Sequence, residues 1–193
     1  MKQLLNFFSK RFFSLSINNI SLASIDCETT GLDPKKDQII SIGGVKIHNG
    51  VLKYGENFHV LIIPENDTVS DSIKIHGLMP DELKNGTNME DALNKFMHWL
   101  GDIPVIGYNI DFDYKILNRQ LKQSLNKKLT NQKIEFLNLF RQRYQNHQEN
   151  SLIGNSLESI ADILDTPLPE RHSALGDALG IAMMCIALQK KFP

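Results

Sequence analysis

A chain of 193 residues is about one domain's worth, and its 41% hydrophobic and 22% charged composition sits in the ordinary globular range. Collagen-like, coiled-coil and wholly disordered architectures are excluded, and a chain of this size buries roughly 70% of its unfolded surface, enough for a core without covalent staples. Cys27 and Cys185 are too few for a disulfide scaffold and lack CxxC spacing, so a reduced, cytoplasmic setting is expected, while a formal net charge of −1 does not by itself point to nucleic acid.

Residues 1–19 carry Lys2, Lys10 and Arg11, no acid, and the phenylalanines Phe7, Phe8, Phe12 and Phe13. Targeting and interfacial amphipathic segments share that composition. Lys10 and Arg11 interrupt the apolar stretches, however, and no small-residue cleavage site follows. No apolar run in the chain approaches the roughly 18 residues that span a bilayer. The expectation is an N-terminal arm over 1–19, a domain over 20–193, and no stable membrane association.

From Leu22 the pattern predicts strands at Ser21–Glu28, Asp37–Ile47 and Asn57–Ile63, separated by turn chemistry at Gly31–Pro34 and His48–Gly55. Short spacing predicts antiparallel hairpins, and Pro64 ends the third strand. Thr87 with Glu90 has the pattern of a capping box. The helix it would open places Met89, Ala92, Leu93, Phe96, Met97 and Leu100 on one face. Pro104–Gly107 reads as a buried strand and Phe112–Leu125 as a helix. Ile134–Tyr144 reads as a helix or as a strand followed by a helix. Leu157–Leu164 is a short helix and Ala174–Gln189 a long one. Three antiparallel strands followed by alternating strands and helices give an α/β domain with a mixed sheet.

Three places carry chemistry. Asp26 and Glu28 are two apart in a strand and share a face that Cys27 does not. Such a pair is costly unless it lies in a solvated turn or a cation neutralises it, and hard oxygen ligands suit Mg²⁺ or Mn²⁺. Asp111 and Asp113 follow the apolar Val105-Ile106, and a helix cap needs only one of them. Asp177 sits among Ala174, Ala178, Leu179 and Ala182, where an unpaired acid is expensive. His172 precedes it as a cap, a surface residue or a neighbour of the same site. Four carboxylates and two divalent ions balance in charge, and a two-metal site can hold both the attacking and the leaving oxygen of a phosphodiester.

The run Asp26-Cys27-Glu28-Thr29-Thr30-Gly31-Leu32 resembles the first motif of the DEDDh 3′–5′ exonucleases. Asn109–Leu117 resembles the second and His172–Ala178 the third, and roughly residues 20–190 fit in order. The chain is similar to the branch holding the proofreading epsilon subunits of bacterial DNA polymerase III and their stand-alone relatives.

The resemblance implies a ribonuclease H-like mixed five-stranded sheet, three antiparallel strands then parallel ones, flanked by helices. It implies a metal-dependent 3′–5′ exonuclease that hydrolyses terminal phosphodiesters of DNA and releases nucleoside 5′-monophosphates, alone or as a proofreading subunit. Asp26, Glu28, Asp113 and Asp177 would hold two divalent cations, Mg²⁺ or Mn²⁺. His172 would be the general base toward the attacking water, a task that suits imidazole. Thr29, Thr30, Gly31, Leu32, His76 and Asn109 would surround the terminal nucleotide. The implied partners are nucleic acid with a free 3′ end, DNA before RNA, and a DNA polymerase subunit. An RNA-directed 3′–5′ exoribonuclease and a non-catalytic polymerase-associated binding module are the alternatives, because no residue identifies a reader of the 2′-OH.

The chain departs from the family at Tyr108, where His is common, at Asp111, a fifth acid near the site, and over the Gln/Asn-rich stretch Asn118–Ser156. Between Tyr114 and Arg143 lie eight of the 21 basic residues and a single acid, Glu135. That stretch reads either as a solvated helix face or as one that follows a phosphate backbone. No feature of the sequence sets an oligomeric state.

Overall fold

The computed structural model describes residues 20–65, 77–145, 154, 156–169 and 171–192. The arm, 1–19, and His76 lie outside them. β1 (Ser21–Thr29), β2 (Ile39–His48) and β3 (Val51–Leu61) come first, followed by α1 (Pro80–Lys84), α2 (Met89–Leu100), β4 (Val105–Gly107) and α3 (Ile110–Leu125). β5 (Lys133–Glu135), α4 (Phe136–Gln145), α5 (Leu157–Ile163) and α6 (Ala174–Lys191) complete the elements of the described residues. The segment around Ile134–Tyr144 is thus a strand followed by a helix.

The five strands form one sheet in the order β3-β2-β1-β4-β5. β1, β2 and β3 pair antiparallel, whereas β4 pairs parallel with β1 and with β5. This is the ribonuclease H-like mixed sheet. Helices cover both faces, and strand alternation splits the core accordingly. Leu22, Val45, Ile47 and Ile106 pack with Phe136, Phe140, Ile160 and Leu188 on one side. Ala23, Ile25, Ile42 and Val105 pack with Leu93, Phe96, Ile116 and Leu117 on the other. All the residues that define the α2 stripe are buried or partly buried.

Two local expectations change. The turn predicted over His48–Gly55 is only Asn49-Gly50, with φ of 51° and 72°, so β3 begins at Val51 and not at Asn57. Two positive φ values are what a tight two-residue hairpin with the right-handed sheet twist demands. Gly44 pairs with Phe58 but Lys46 with Lys53, so Tyr54–Asn57 bulge out opposite Val45 alone. Those four residues are exposed, which makes a continuous strand look like a polar loop. The bulge is fastened where Trp99 Nε1 donates to Glu56 O at 2.7 Å. The second change concerns α2. Asn88, not Thr87, is the cap: its Oδ1 accepts the Asp91 N–H at 2.9 Å. Thr87 lies one residue further from the helix, where its backbone bonds to Leu61 and Ile63 beside the end of β3.

Among the described residues, no helix is long and apolar enough to cross a membrane.

Candidate active site

β1 enters between β2 and β4, but its ladder to β4 covers only Ala23–Val105 and Ser24–Ile106. Past that point the two strands diverge at their carboxyl ends, the place where α/β sheets hold ligands. Leu22 belongs to the core on the α6 side, so the alternation carries Asp26 and Glu28 to that side as well. α6 delivers the third acid. Ser173 caps it, its Oγ accepting the Gly176 N–H at 3.1 Å, and Asp177 follows in the first turn. Ligand oxygens of Asp26, Glu28 and Asp177 lie within 4.8 Å of one another.

Asp113 arrives from the other direction, one turn into α3. It is buried, and its Oδ1 accepts the Cys27 N–H at 3.0 Å, the ladder position that β4 no longer covers. A carboxylate has about four lone-pair sites, so this bond leaves Asp113 with acceptor capacity. Asp113 is close enough to raise the pKa of Asp26 by its charge.

Acids crowded in this way resist ionisation. Burial, then Asp113, Glu28 and Asp177, hold the Asp26 carboxyl well above the usual carboxylate range, with Arg171 opposing. Burial and the charge of Asp177 push Glu28 up to about 7, again against Arg171. Burial pushes Asp113 up to about 7, although hydrogen bonds from its own and the Cys27 backbone pull the other way. All three respond to too little positive charge in a desolvated place. Hard oxygen donors at this spacing fit divalent cations such as Mg²⁺ or Mn²⁺.

His172 precedes the Ser173 cap in a left-handed conformation, with φ of 61°. Its N–H donates to Asp177 Oδ2 at 3.2 Å and its side chain is exposed. The backbone thus joins the cluster while the imidazole stands at its rim. Asn109 is also left-handed and exposed, immediately before α3.

The loop after β1 is closed by its own hydrogen bonds. Thr29 Oγ1 donates to Gly31 O at 2.6 Å, and Thr30 Oγ1 donates to Asp37 Oδ1 at 3.3 Å while accepting the Gln38 N–H at 3.0 Å. A Cβ on Gly31 would stand 2.6 Å from the Asp37 carboxylate, which would have to give up its place beside Thr30 and Asp33. Leu32 projects outward, 84% exposed.

Three contributors were not assigned from the sequence. Gly43 lies opposite Asp26 in the ladder, and a Cβ there would meet the Ala174 carbonyl carbon at 2.1 Å and Leu175 N at 2.2 Å. The start of α6 thus rests directly on the β2 backbone, which sets how closely Asp177 approaches Asp26. Glu135 accepts the N–H groups of Asn109 and Ile110 at 3.1 Å and that of Leu137 at 3.2 Å, tying the start of α3 to β5. Its signal was its place as the only acid in a basic stretch. Arg171 pairs with Asp177 through Nη1.

Gly43→Ala is expected to lower the melting temperature by roughly 3–10 °C, because the clash is with backbone and overpacking costs about 1–3 kcal/mol. Gly44→Ala should be milder. Its Cβ would meet the outer edge of the Trp99 ring at 2.5 Å, a side chain and not backbone, so tilting that ring against Phe58 and Phe96 can relieve the clash. Equal shifts for the two variants would show that Gly43 does not set the seat of α6.

The basic stretch divides. Arg119 donates to the carbonyls of Lys35 (2.8 Å) and Asp37, pinning the loop after β1 to α3. Arg143 is buried and donates to Phe192 O at 3.0 Å. Lys133 pairs with Asp111, which therefore faces β5 and does not enter the carboxylate cluster. Lys115, Lys122, Lys127 and Lys128 are exposed.

A ribonuclease H-like sheet with a carboxylate cluster at its switch point is the architecture of a nuclease. The chain belongs to the exonuclease family RNase T, whose model matches residues 23–184. A DNA polymerase III subunit epsilon of Rickettsia typhi is 33% identical over 170 residues, covering 85% of this chain and 72% of that protein. A PolC-type DNA polymerase III of Thermotoga petrophila is 30% identical over 166 residues, 86% of this chain; the chain spans only 12% of that relative's length. Among solved structures, a zinc-bound E. coli exonuclease I in complex with single-stranded DNA aligns over 90% of this chain and 41% of its own, with a TM-score of 0.75 and 18% identity. Cell-death related nuclease 4 aligns over 90% of this chain and 64% of its own, with a TM-score of 0.72 and 19% identity. At those identities the structural likeness establishes the fold.

Proposed function

We propose that this nuclease is a 3′–5′ exonuclease that removes nucleoside 5′-monophosphates from DNA ends. The observation that carries the reading is the convergence of Asp26, Glu28 and Asp177 within 4.8 Å, with Asp113 buried beside them, in a chain of the exonuclease family. These four residues would hold two divalent cations, Mg²⁺ or Mn²⁺, which supply charge neutralisation and Lewis-acid activation of the phosphodiester. His172, at the rim, would take the proton of the attacking water. Its backbone bond to Asp177 keeps the residue in place while the exposed ring stays free to turn toward the site. Leu32 offers an apolar face for the terminal nucleotide, and Thr29, Thr30 and Gly31 shape the loop behind it. Asn109, exposed at the start of α3, and His76 are assigned to the pocket on their motifs alone.

A free 3′ end, DNA in preference to RNA, a polymerase subunit as partner, and a cytoplasmic setting complete the proposal, as does a domain over 20–193 with an arm dispensable for chemistry. Similarity to epsilon and PolC-type relatives supports the replication setting. The test is incubation with labelled single-stranded DNA and RNA, linear or circular, in Mg²⁺, Mn²⁺ or EDTA. Release of 5′-monophosphates from linear DNA, lost in EDTA, is expected. Cleavage of a circle, or undiminished activity in EDTA, contradicts the proposal.

His172→Ala should lower turnover by about 10²–10⁴-fold with Mn²⁺ binding nearly unchanged. Activity within a factor of about two of the parent protein would assign the base to another group.

A further inference from the structure

We propose that Arg171 is a further substrate-binding residue: its guanidinium, which pairs with Asp177 and Glu158, receives a backbone phosphate of the bound strand once divalent cations occupy the carboxylates. This inference rests on the exonuclease reading above. Arg171 contacts Asp177 through Nη1, and its Nε stands 3.4 Å from Glu158 Oε1 on α5. The guanidinium therefore bridges the start of α6 to α5 at the edge of the cluster. It also acts on Asp26 and Glu28 by its charge, so it lies within reach of whatever those two residues hold.

Charge counting assigns its task. Asp26, Glu28, Asp113 and Asp177 carry four negative charges when ionised, which two divalent cations neutralise. Arg171 then adds one positive charge, opposed only by Glu158, whose largely exposed carboxylate is screened by solvent, and a phosphodiester carries one negative charge. Without the cations, the same guanidinium opposes part of the repulsion among the acids, which accounts for its seat on Asp177. Cations on Asp177 compete for that carboxylate and free one edge of the guanidinium. Its Nε faces Glu158, so the donors available to a phosphate are those of the edge that Asp177 gives up. A planar guanidinium matches two phosphate oxygens at once, which a lysine cannot do. Glu158 anchors the side chain from α5, keeping the group at the site after Asp177 is lost as a partner.

The assignment makes two predictions, weaker strand binding and undiminished metal binding, which a merely structural arginine would not produce together. Binding of a 3′-hydroxyl single-stranded oligodeoxynucleotide is measured by fluorescence anisotropy in Ca²⁺ at several salt concentrations, for the parent protein, R171Q and R171K. R171Q should bind about 10-fold more weakly. Its log–log salt dependence should be flatter by about 0.7, the value of one phosphate contact on a single strand. R171K, which keeps the charge but not the fork, should keep the slope and lose part of the affinity. Separately, Mn²⁺ titration by calorimetry without DNA should give equal or tighter binding in R171Q, because a competing cation has gone. An unchanged oligonucleotide affinity and slope in R171Q overturn the assignment. So does Mn²⁺ affinity falling in step with melting temperature in both variants, which would make Arg171 a strut for the carboxylates. A parent protein that neither binds nor hydrolyses the strand overturns the exonuclease reading first and this inference with it. An active parent matched by R171Q overturns this inference alone.

Discussion

Asp26→Asn is expected to eliminate hydrolysis while raising the melting temperature of the protein in EDTA. Asp26 sits at the centre of the cluster, sharing it with Glu28 and Asp177 and facing Asp113. Losing a ligand there removes transition-state charge stabilisation worth several kcal/mol, so turnover should fall by roughly three orders of magnitude or more. In the absence of cations the same carboxylate is a liability, because burial and three neighbouring acids all oppose its charge. An amide of the same shape removes the repulsion, and a rise of a few degrees at pH 8 follows. Measured side by side, turnover in Mg²⁺ and melting in EDTA should move in opposite directions. A variant that loses both activity and stability would show that Asp26 supports the fold through a bond the amide cannot make. Retained activity would remove it from the metal site.

What the sequence made legible and what it hid divide along a physical line. Asp26 and Glu28 could be placed on one face because strand alternation is local, and the α2 stripe could be drawn from Met89 to Leu100 because helical periodicity is local. The order of the three acidic motifs was enough for the family and its sheet. The residues missed act through partners distant in the chain. Gly43 matters for the side chain it lacks, and only the seat of Ala174 on β2 shows why. Glu135 ends on three backbone N–H groups, which no side-chain pattern marks. Arg119 and Arg143 counted as members of a basic stretch, yet both are fastened to carbonyls elsewhere in the fold. Charge along a sequence says where cations are, not what they touch. The late start assigned to β3 is a different kind of miss. Asn49-Gly50 was readable as a two-residue hairpin turn, but the polar bulge after it concealed the strand.

The carboxylate cluster should also make stability depend on pH, in a sense that divalent cations reverse. Glu28 and Asp113 titrate at about 7 in the folded protein against ordinary values of 4.5 and 3.8, and Asp26 is raised as well. Between about pH 4 and pH 7 the folded state therefore holds protons that the unfolded chain has released. Stability falls with rising pH wherever the folded state binds more protons. The contribution is complete below about pH 4, declines as pH rises through 7, and is gone above that. One pKa unit is worth 1.36 kcal/mol, but these groups share one site and part of the shift is screened, so about 2–4 kcal/mol in all is expected. In EDTA the melting temperature should drop by roughly 5–10 °C between pH 5 and pH 8. Divalent cations bind the ionised acids and only in the folded state, so their stabilisation grows as protons leave. With 10 mM Mg²⁺ or 1 mM Mn²⁺, as chosen titration conditions, the fall between pH 5 and pH 8 should flatten or turn into a rise. Glu28→Gln should remove part of the slope in EDTA and part of the gain from cations. A melting temperature that rises with pH in EDTA, or the same profile with and without cations, would falsify the placement of these acids in one metal-binding cluster.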